Sequence, residues 1–248
     1  MKEIIGIYPS LKLSANIALV GNSKRLLKEK NGHKIDSYEE VVRFNRANTE
    51  DYIEFTGKKT TLWTVSGFVA KNTFEKNRWD NFDDETKSKI PLDHVRNLKN
   101  QKILIIDRGN INTFEKGIDY DQSSQIFIYD DTQTALLLYK YGTMTSKWHP
   151  FYKFFYNKQF KGSWLNLINP FNLSSGLMMI LICINSDITP HLYGFDEVLG
   201  DERDYHYYLD YKNSPVWSKK GHGRNANFFK REKLILKKLI NQKKVVLF

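Results

Sequence analysis

Three short stretches of this sequence concentrate groups that can hold an anion or move a proton. The first is Gly21-Asn22-Ser23, at the end of the apolar run Ile17-Ala18-Leu19-Val20. Gly21 permits close backbone approach, Asn22 carries an amide donor, and a following helix offers free N–H groups. That is the physics of a phosphate or nucleotide site, and equally the chemistry of a plain turn. It is not a P-loop, because Lys24 lacks the glycine spacing of GxxxxGK[ST]. The second stretch is Gly221-His222-Gly223, with Ala226 a partial GxGxxA. It follows a Pro- and Lys-containing loop rather than a strand, which argues against a dinucleotide fingerprint. His222 there is an imidazole that titrates near neutrality or an exposed helix cap. The third is His206-Tyr207-Tyr208, a set of donors for an anionic oxygen or a patch of aromatic packing. His33, His94, His149 and His191 have no metal-ligand spacing, and Cys183 is the only cysteine. Asp119-Tyr120-Asp121 and Asp130-Asp131 imitate a metal-binding DxD but also suit turns, and no metal is expected.

The elements that must position these groups follow from the apolar pattern. Runs at 17–20, 40–45, 60–65, 102–107, 125–129, 191–195 and 245–248 predict strands. Stretches 24–30, 132–141, 175–184 and 225–242 predict helices, the last amphipathic with Lys and Arg between its apolar residues. Run 175–184 is apolar all round and reads as a buried helix or a strand; its Met and Leu content favours helix. Strand–helix alternation predicts an α/β layered fold with a mostly parallel sheet. The polar stretch 71–100 and the aromatic, basic stretch 148–163 read as insertions around a site.

Composition bounds the function classes. The chain has 248 residues, 41% hydrophobic and 27% charged, which excludes a disordered or collagenous chain and allows one real core. No apolar run approaches the ~18 residues of a membrane span. The first residues lack a basic segment leading into a long apolar one, so no signal peptide is expected. A single cysteine excludes an intrachain disulfide, and a reducing cytoplasm is the expected compartment. Lys and Arg outnumber Asp and Glu 38 to 28. That net charge of +10 attracts polyanions. No RRM, homeodomain or zinc-finger pattern accompanies it, so nucleic acid is not an expected partner. The basic helix around 230–244 either rests on an anionic membrane surface or is a solvated face.

Residues 17–67 resemble the long motif of the eukaryotic-type sialyltransferase family. They present a strand into Gly21-Asn22-Ser23, then Ile35-Asp36, then Arg43-Phe44-Asn45-Arg46-Ala47, then Gly57-Lys58-Lys59-Thr60-Thr61. Residues 173–195 resemble the family's short motif, in which Ser174-Ser175-Gly176 opens an apolar helix that leads to Tyr193-Gly194-Phe195. His206-Tyr207-Tyr208 resembles the His-Tyr motif. Residues 221–236 resemble the bacterial lipooligosaccharide sialyltransferases, with His222 ten residues before Glu232. The four blocks come in the family's order. Where secreted members carry two cysteines, this chain has Ile17 and Asp187, and where the eukaryotic last motif has its histidine, it has Asn227.

The resemblance implies a single GT-A-like domain over 1–248. Its nucleotide-binding half covers about 1–130 and its acceptor and catalytic half about 131–248. It implies an inverting, metal-independent transfer of sialic acid from CMP-sialic acid to an oligosaccharide or glycolipid hydroxyl, with no cofactor. A nucleoside monophosphate leaving group carries less charge than a diphosphate, so hydrogen-bond donors can stabilise it. Gly21, Asn22, Ser23, Asn45, Ser174, Ser175, Gly176, Tyr207 and Tyr208 are the implied donor-binding residues. His206 is an implied phosphate contact, and His222 is the implied general base. Two alternatives stay open: a CMP-Kdo-type donor, or a non-catalytic module that binds CMP or acidic glycans. Arg43 and Arg46 are expected as solvated charges on opposite faces of a strand.

Overall fold

The computed structural model describes residues 1–4, 7–45, 47–66, 102–106, 125–129, 173–195 and 226–248. Ten strands are described: β1 (Lys2–Glu3), β2 (Ile7–Tyr8), β3 (Lys12–Leu13), β4 (Ile17–Val20), β5 (Glu40–Phe44), β6 (Leu62–Ser66), β7 (Lys102–Ile106), β8 (Gln125–Tyr129), β9 (His191–Tyr193) and β10 (Val246–Leu247). The strands β1 and β3 form a small antiparallel pair. The other eight form one sheet in the order β10-β9-β4-β5-β6-β7-β8-β2. Seven of them run parallel, and β2 closes the edge antiparallel to β8. Strands buried on both faces read as continuous apolar runs, which is why 17–20 and 102–106 are legible without alternation. The α/β class with a mostly parallel sheet is as the sequence predicts.

The order of strands matters for function. From β4 the chain steps outward through β5, β6, β7 and β8, then returns to place β9 and β10 on the other side of β4. The strand order therefore reverses between β4 and β9. In open parallel sheets, ligands bind in the crevice beyond the carboxyl ends of the strands at such a reversal.

The helix α3 (Ser175–Asn185) is buried along its apolar length, as an all-round apolar helix must be. It belongs to the core cluster that includes Leu19, Val42, Phe44, Leu62, Leu104 and Leu192 of the sheet. From the helix α4 (Ala226–Asn241), Ile235, Leu236 and Leu239 join the same cluster. The opposite face of the sheet packs Ala18, Val20, Val41 and Tyr193 against Leu26, Ile35 and Tyr38. Two short helices, α1 (Gly32–Asp36) and α2 (Ile53–Thr56), lie too close together for a Cβ at Gly32, which would meet the Ile53 carbonyl oxygen at 2.0 Å.

Several local expectations shift. The predicted helix 24–30 is a 3-10 turn, Lys24–Lys28, whose first amides bond Ser23: Arg25 N–H to the hydroxyl and Leu26 N–H to the carbonyl. The helices α1 and α2 span barely one turn, too short to print a helical period. Strand β5 stops at Phe44 because Asn45 turns left-handed, with φ at 52°. Arg43 is not a solvated charge: it is 0% exposed. Arg46, the predicted helix 132–141 and the stretches 71–100 and 148–163 lie outside the described residues.

Candidate functional site

The reversal point is built by two glycine-bearing strand ends. Beyond β4 and β9 the ladder continues, with Gly21 N–H donating to the Tyr193 carbonyl at 2.7 Å and Ser23 N–H to the Gly194 carbonyl at 3.3 Å. A Cβ at Gly21 would come within 2.4 Å of the Gly194 oxygen. Gly194 itself sits at a φ of 66°, which ends β9. The sequence assigns Gly21 to ligand approach; the backbone that approaches it here is Gly194. Ser23 is fully enclosed, and its hydroxyl accepts the Arg25 amide at 3.2 Å.

Asn22 lies between these two residues and is 7% exposed. Its Nδ2 donates to the Phe44 carbonyl at 3.2 Å, which ties the end of β4 to the end of β5. Its Oδ1 is buried with no hydrogen-bond partner, an unusual state for a buried amide oxygen. The next residue after Phe44 is Asn45, held in its left-handed turn from both sides. Its N–H donates to the Thr64 carbonyl at 2.9 Å and its carbonyl accepts from Trp63 Nε1 at 2.6 Å. Asparagine tolerates that conformation better than most residues.

The first turn of α3 joins the same crevice. Ser174 caps it, its hydroxyl accepting from Leu177 N–H at 3.2 Å. The Ser174 N–H donates to Glu232 Oε1 at 2.5 Å. At the start of a helix the amides of Ser175 and Gly176 have no acceptor one turn back, so they are available to an anion or hydroxyl. A Cβ at Gly176 would meet the Phe195 ring at 2.8 Å, and a Cβ at Gly21 would meet the same ring at 3.3 Å. Phe195 also packs edge-on against Phe44, centroids 5.8 Å apart. This ring thus joins Gly21, Phe44 and Gly176. Sequence reasoning gave Phe195 and Glu232 no role. The only signal for either was its place at the end of a motif.

The structure therefore brings Gly21, Asn22, Ser23, Asn45, Ser174, Ser175 and Gly176 together beyond the carboxyl ends of β4 and β5. His206, Tyr207, Tyr208 and His222 lie outside the described residues, as do both Asp pairs. Among the described residues no group of three or more His, Cys, Asp or Glu side chains could hold a metal ion. No described helix is long and apolar enough to cross a membrane.

Other motif residues serve as supports. Arg43 Nη2 donates to the carbonyls of Thr56 and Gly57 at 2.7 and 3.0 Å. Its Nε donates to the Lys59 carbonyl at 3.1 Å and to Thr60 Oγ1 at 3.0 Å. The Asp36 carboxylate accepts from Lys58 N–H at 3.1 Å and Lys59 N–H at 2.9 Å. Together they pin the 56–60 loop beside β5. On the face of β9 away from α3, Tyr38 OH bonds His191 Nδ1 at 2.6 Å and Tyr193 OH at 3.1 Å. Burial, with Lys34 nearby, lowers the His191 pKa. Burial and the bond to Tyr38 raise that of Tyr193. Burial pushes the Cys183 thiol up to about 12, so it stays protonated.

The arrangement can seat a phosphoryl or carboxylate group between side-chain amides and helix amides. Residues 14–244 match the model of glycosyltransferase family 29 (sialyltransferase). Sialyltransferase-like protein 2 of Arabidopsis thaliana is 48% identical over 54 residues, a stretch that makes up 22% of this chain and only 12% of that relative. A solved mammalian sialyltransferase superposes with a TM-score of 0.53 at 17% identity, over 94% of this chain and 68% of that one. A mammalian sialyltransferase in complex with Gal-beta-1-3GalNAc-ortho-nitrophenol gives a TM-score of 0.52 at 17% identity, over the same shares.

Proposed function

The chain belongs to glycosyltransferase family 29, the sialyltransferases, and on that premise we propose that it transfers sialic acid from CMP-sialic acid to a glycan hydroxyl. The observation that carries the reading is the strand-order reversal, where the Asn22 amide and the first turn of α3 share one crevice; the buried, unpartnered Asn22 Oδ1 there can accept from a hydroxyl or amino group of the nucleotide, not from its phosphate. A nucleotide placed there meets the amides of Asn22 and Asn45 on one side and those of Ser175 and Gly176 on the other. The acceptor oxygen attacks the anomeric carbon, the bond from that carbon to the phosphate oxygen breaks, and its electron pair leaves on CMP. Configuration inverts. The acceptor proton passes to a general base, for which His222 is our candidate, while His206, Tyr207 and Tyr208 donate to the leaving phosphate. These donors and the monophosphate's modest charge support a reaction without a metal or other cofactor.

The mammalian structure bound to a Gal-beta-1-3GalNAc compound makes galactosides the first acceptors to try. We place the reaction in the cytoplasm, with the basic α4 beside an anionic membrane surface where a glycolipid acceptor is within reach.

The test is calorimetric titration of the whole chain with CMP, followed by donor screens with CMP-sialic acid and CMP-Kdo over a galactoside panel in EDTA. Saturable CMP binding and sialyl transfer that survives chelation support the reading. No affinity for cytidine nucleotides overturns it. Binding with no transfer favours a CMP-binding module, and transfer of the Kdo-type sugar alone reassigns the donor.

A further inference from the structure

Glu232 stands at the head of an otherwise apolar stripe. On α4, residues 232, 235, 236 and 239 fall at helical spacing on one face, and Ile235, Leu236 and Leu239 pack into the core beside α3. Glu232 is 1% exposed. A buried carboxylate is a poor choice for packing alone, since an apolar side chain of similar volume stabilises at least as well. Its oxygen reaches across 58 positions of sequence to the N–H of Ser174, the residue that caps α3. The Ser174 hydroxyl is committed to Leu177 N–H, so both groups of the cap are bound and only the Ser175 and Gly176 amides stay open to the crevice.

We propose that Glu232 is a positioning residue: through the Ser174 amide it fixes the first turn of α3, so that the Ser175 and Gly176 amides meet the donor nucleotide. This rests on the functional reading above. Apolar contacts between the two elements, such as those of Ile235, Leu236 and Leu239, are non-directional, whereas a hydrogen bond to a carboxylate sets the rotation and height of that turn.

The experiment measures CMP affinity by calorimetry, with thermal unfolding alongside, for the wild type, Glu232→Ala, Glu232→Gln, Ser174→Ala, Ser174→Pro and the Glu232→Ala/Ser174→Pro double variant. Ser174 has a φ of −65°, a value proline adopts; Ser174→Pro removes the N–H and its ring displaces the Glu232 carboxylate, a clash that the double variant relieves, and Ser174→Ala controls for the hydroxyl. Glu232→Ala weakens CMP by about tenfold, the scale of a hydrogen bond to a charged group. Glu232→Gln, which keeps an acceptor oxygen, recovers most of that loss. Ser174→Pro loses a similar factor relative to Ser174→Ala, and the double variant loses no more than Ser174→Pro. In turnover, KM for the donor rises more than kcat falls. Unchanged CMP affinity in Glu232→Ala, or losses that multiply in the double variant, overturns the inference while the functional reading stands. A wild type that ignores CMP overturns both. If Glu232→Ala does not fold, the comparison of Ser174→Pro with Ser174→Ala decides.

Discussion

Gly21 and Gly194 face each other so closely that a Cβ on the first would lie 2.4 Å from the carbonyl oxygen of the second. No side chain fits between them, and both are backbone, so neither yields cheaply. Gly21→Ala must therefore part β4 from β9 at the strand-order reversal. We expect a loss of about 1–3 kcal/mol, the scale of overpacking a tight core, read by urea titration. A variant as stable as the wild type would contradict the contact.

Gly176→Ala probes a different neighbour. Its Cβ meets Phe195 at 2.8 Å, and a ring edge can shift where a carbonyl cannot. Stability should fall less than in Gly21→Ala, while CMP affinity falls by about tenfold because the displaced ring borders the crevice. Calorimetry and urea titration on the same preparations separate the two effects.

Asn22→Asp keeps the shape of the side chain and replaces its donor. A carboxylate oxygen would face the Phe44 carbonyl that Nδ2 now bonds, and a negative charge would enter a site proposed for phosphate. CMP affinity should drop by about tenfold or more. Equal affinity in Asn22→Asp and wild type would remove Asn22 from the nucleotide site.

Arg43 holds the 56–60 loop by a planar fork that a lysine cannot copy. Arg43→Lys and Arg43→Ala should both destabilise, the latter by about 3–5 kcal/mol, because it empties a buried side-chain volume and leaves the carbonyls of the loop unpaired. Thermal or urea unfolding checks this. Full stability in the lysine variant would show that the fork geometry is dispensable.

His191 makes stability depend on pH. Burial, then Lys34, lower its folded pKa below the ordinary 6.5. The unfolded chain therefore takes up this proton first. As pH falls through about 6.5, stability declines, and the decline from this group ends below the folded value. The loss is modest because the ring is partly solvated. Comparing unfolding of the wild type and His191→Gln from pH 8 to pH 5 isolates it; parallel curves would rule it out.

Much of the fold was legible because burial leaves local marks. Continuous apolar runs at 17–20, 103–106 and 126–129 announced strands of a parallel sheet. The pair Ser174-Ser175 before an apolar run announced α3, since a hydroxyl cap binds an amide only three residues on. The one-turn helices α1 and α2 and the two-residue strands β1, β2 and β3 were not legible, because nothing so short completes a period. Arg43 was misread for a related reason: charge predicts exposure, and only the carbonyls of residues 56–59 explain how a guanidinium is buried.

By itself the sequence determined the types of the longer described elements, the mostly parallel sheet and the motif blocks, all of which depend on neighbours a few residues apart. The tertiary structure alone decided that the strand order reverses at Gly21 and Gly194, that Phe195 joins three segments, and that Glu232 reaches Ser174. These contacts link residues 19 to 174 positions apart, where packing of whole elements sets who meets whom. Local propensity carries no record of such distances, because the same cap, strand or stripe would form whichever partner the chain path later supplied.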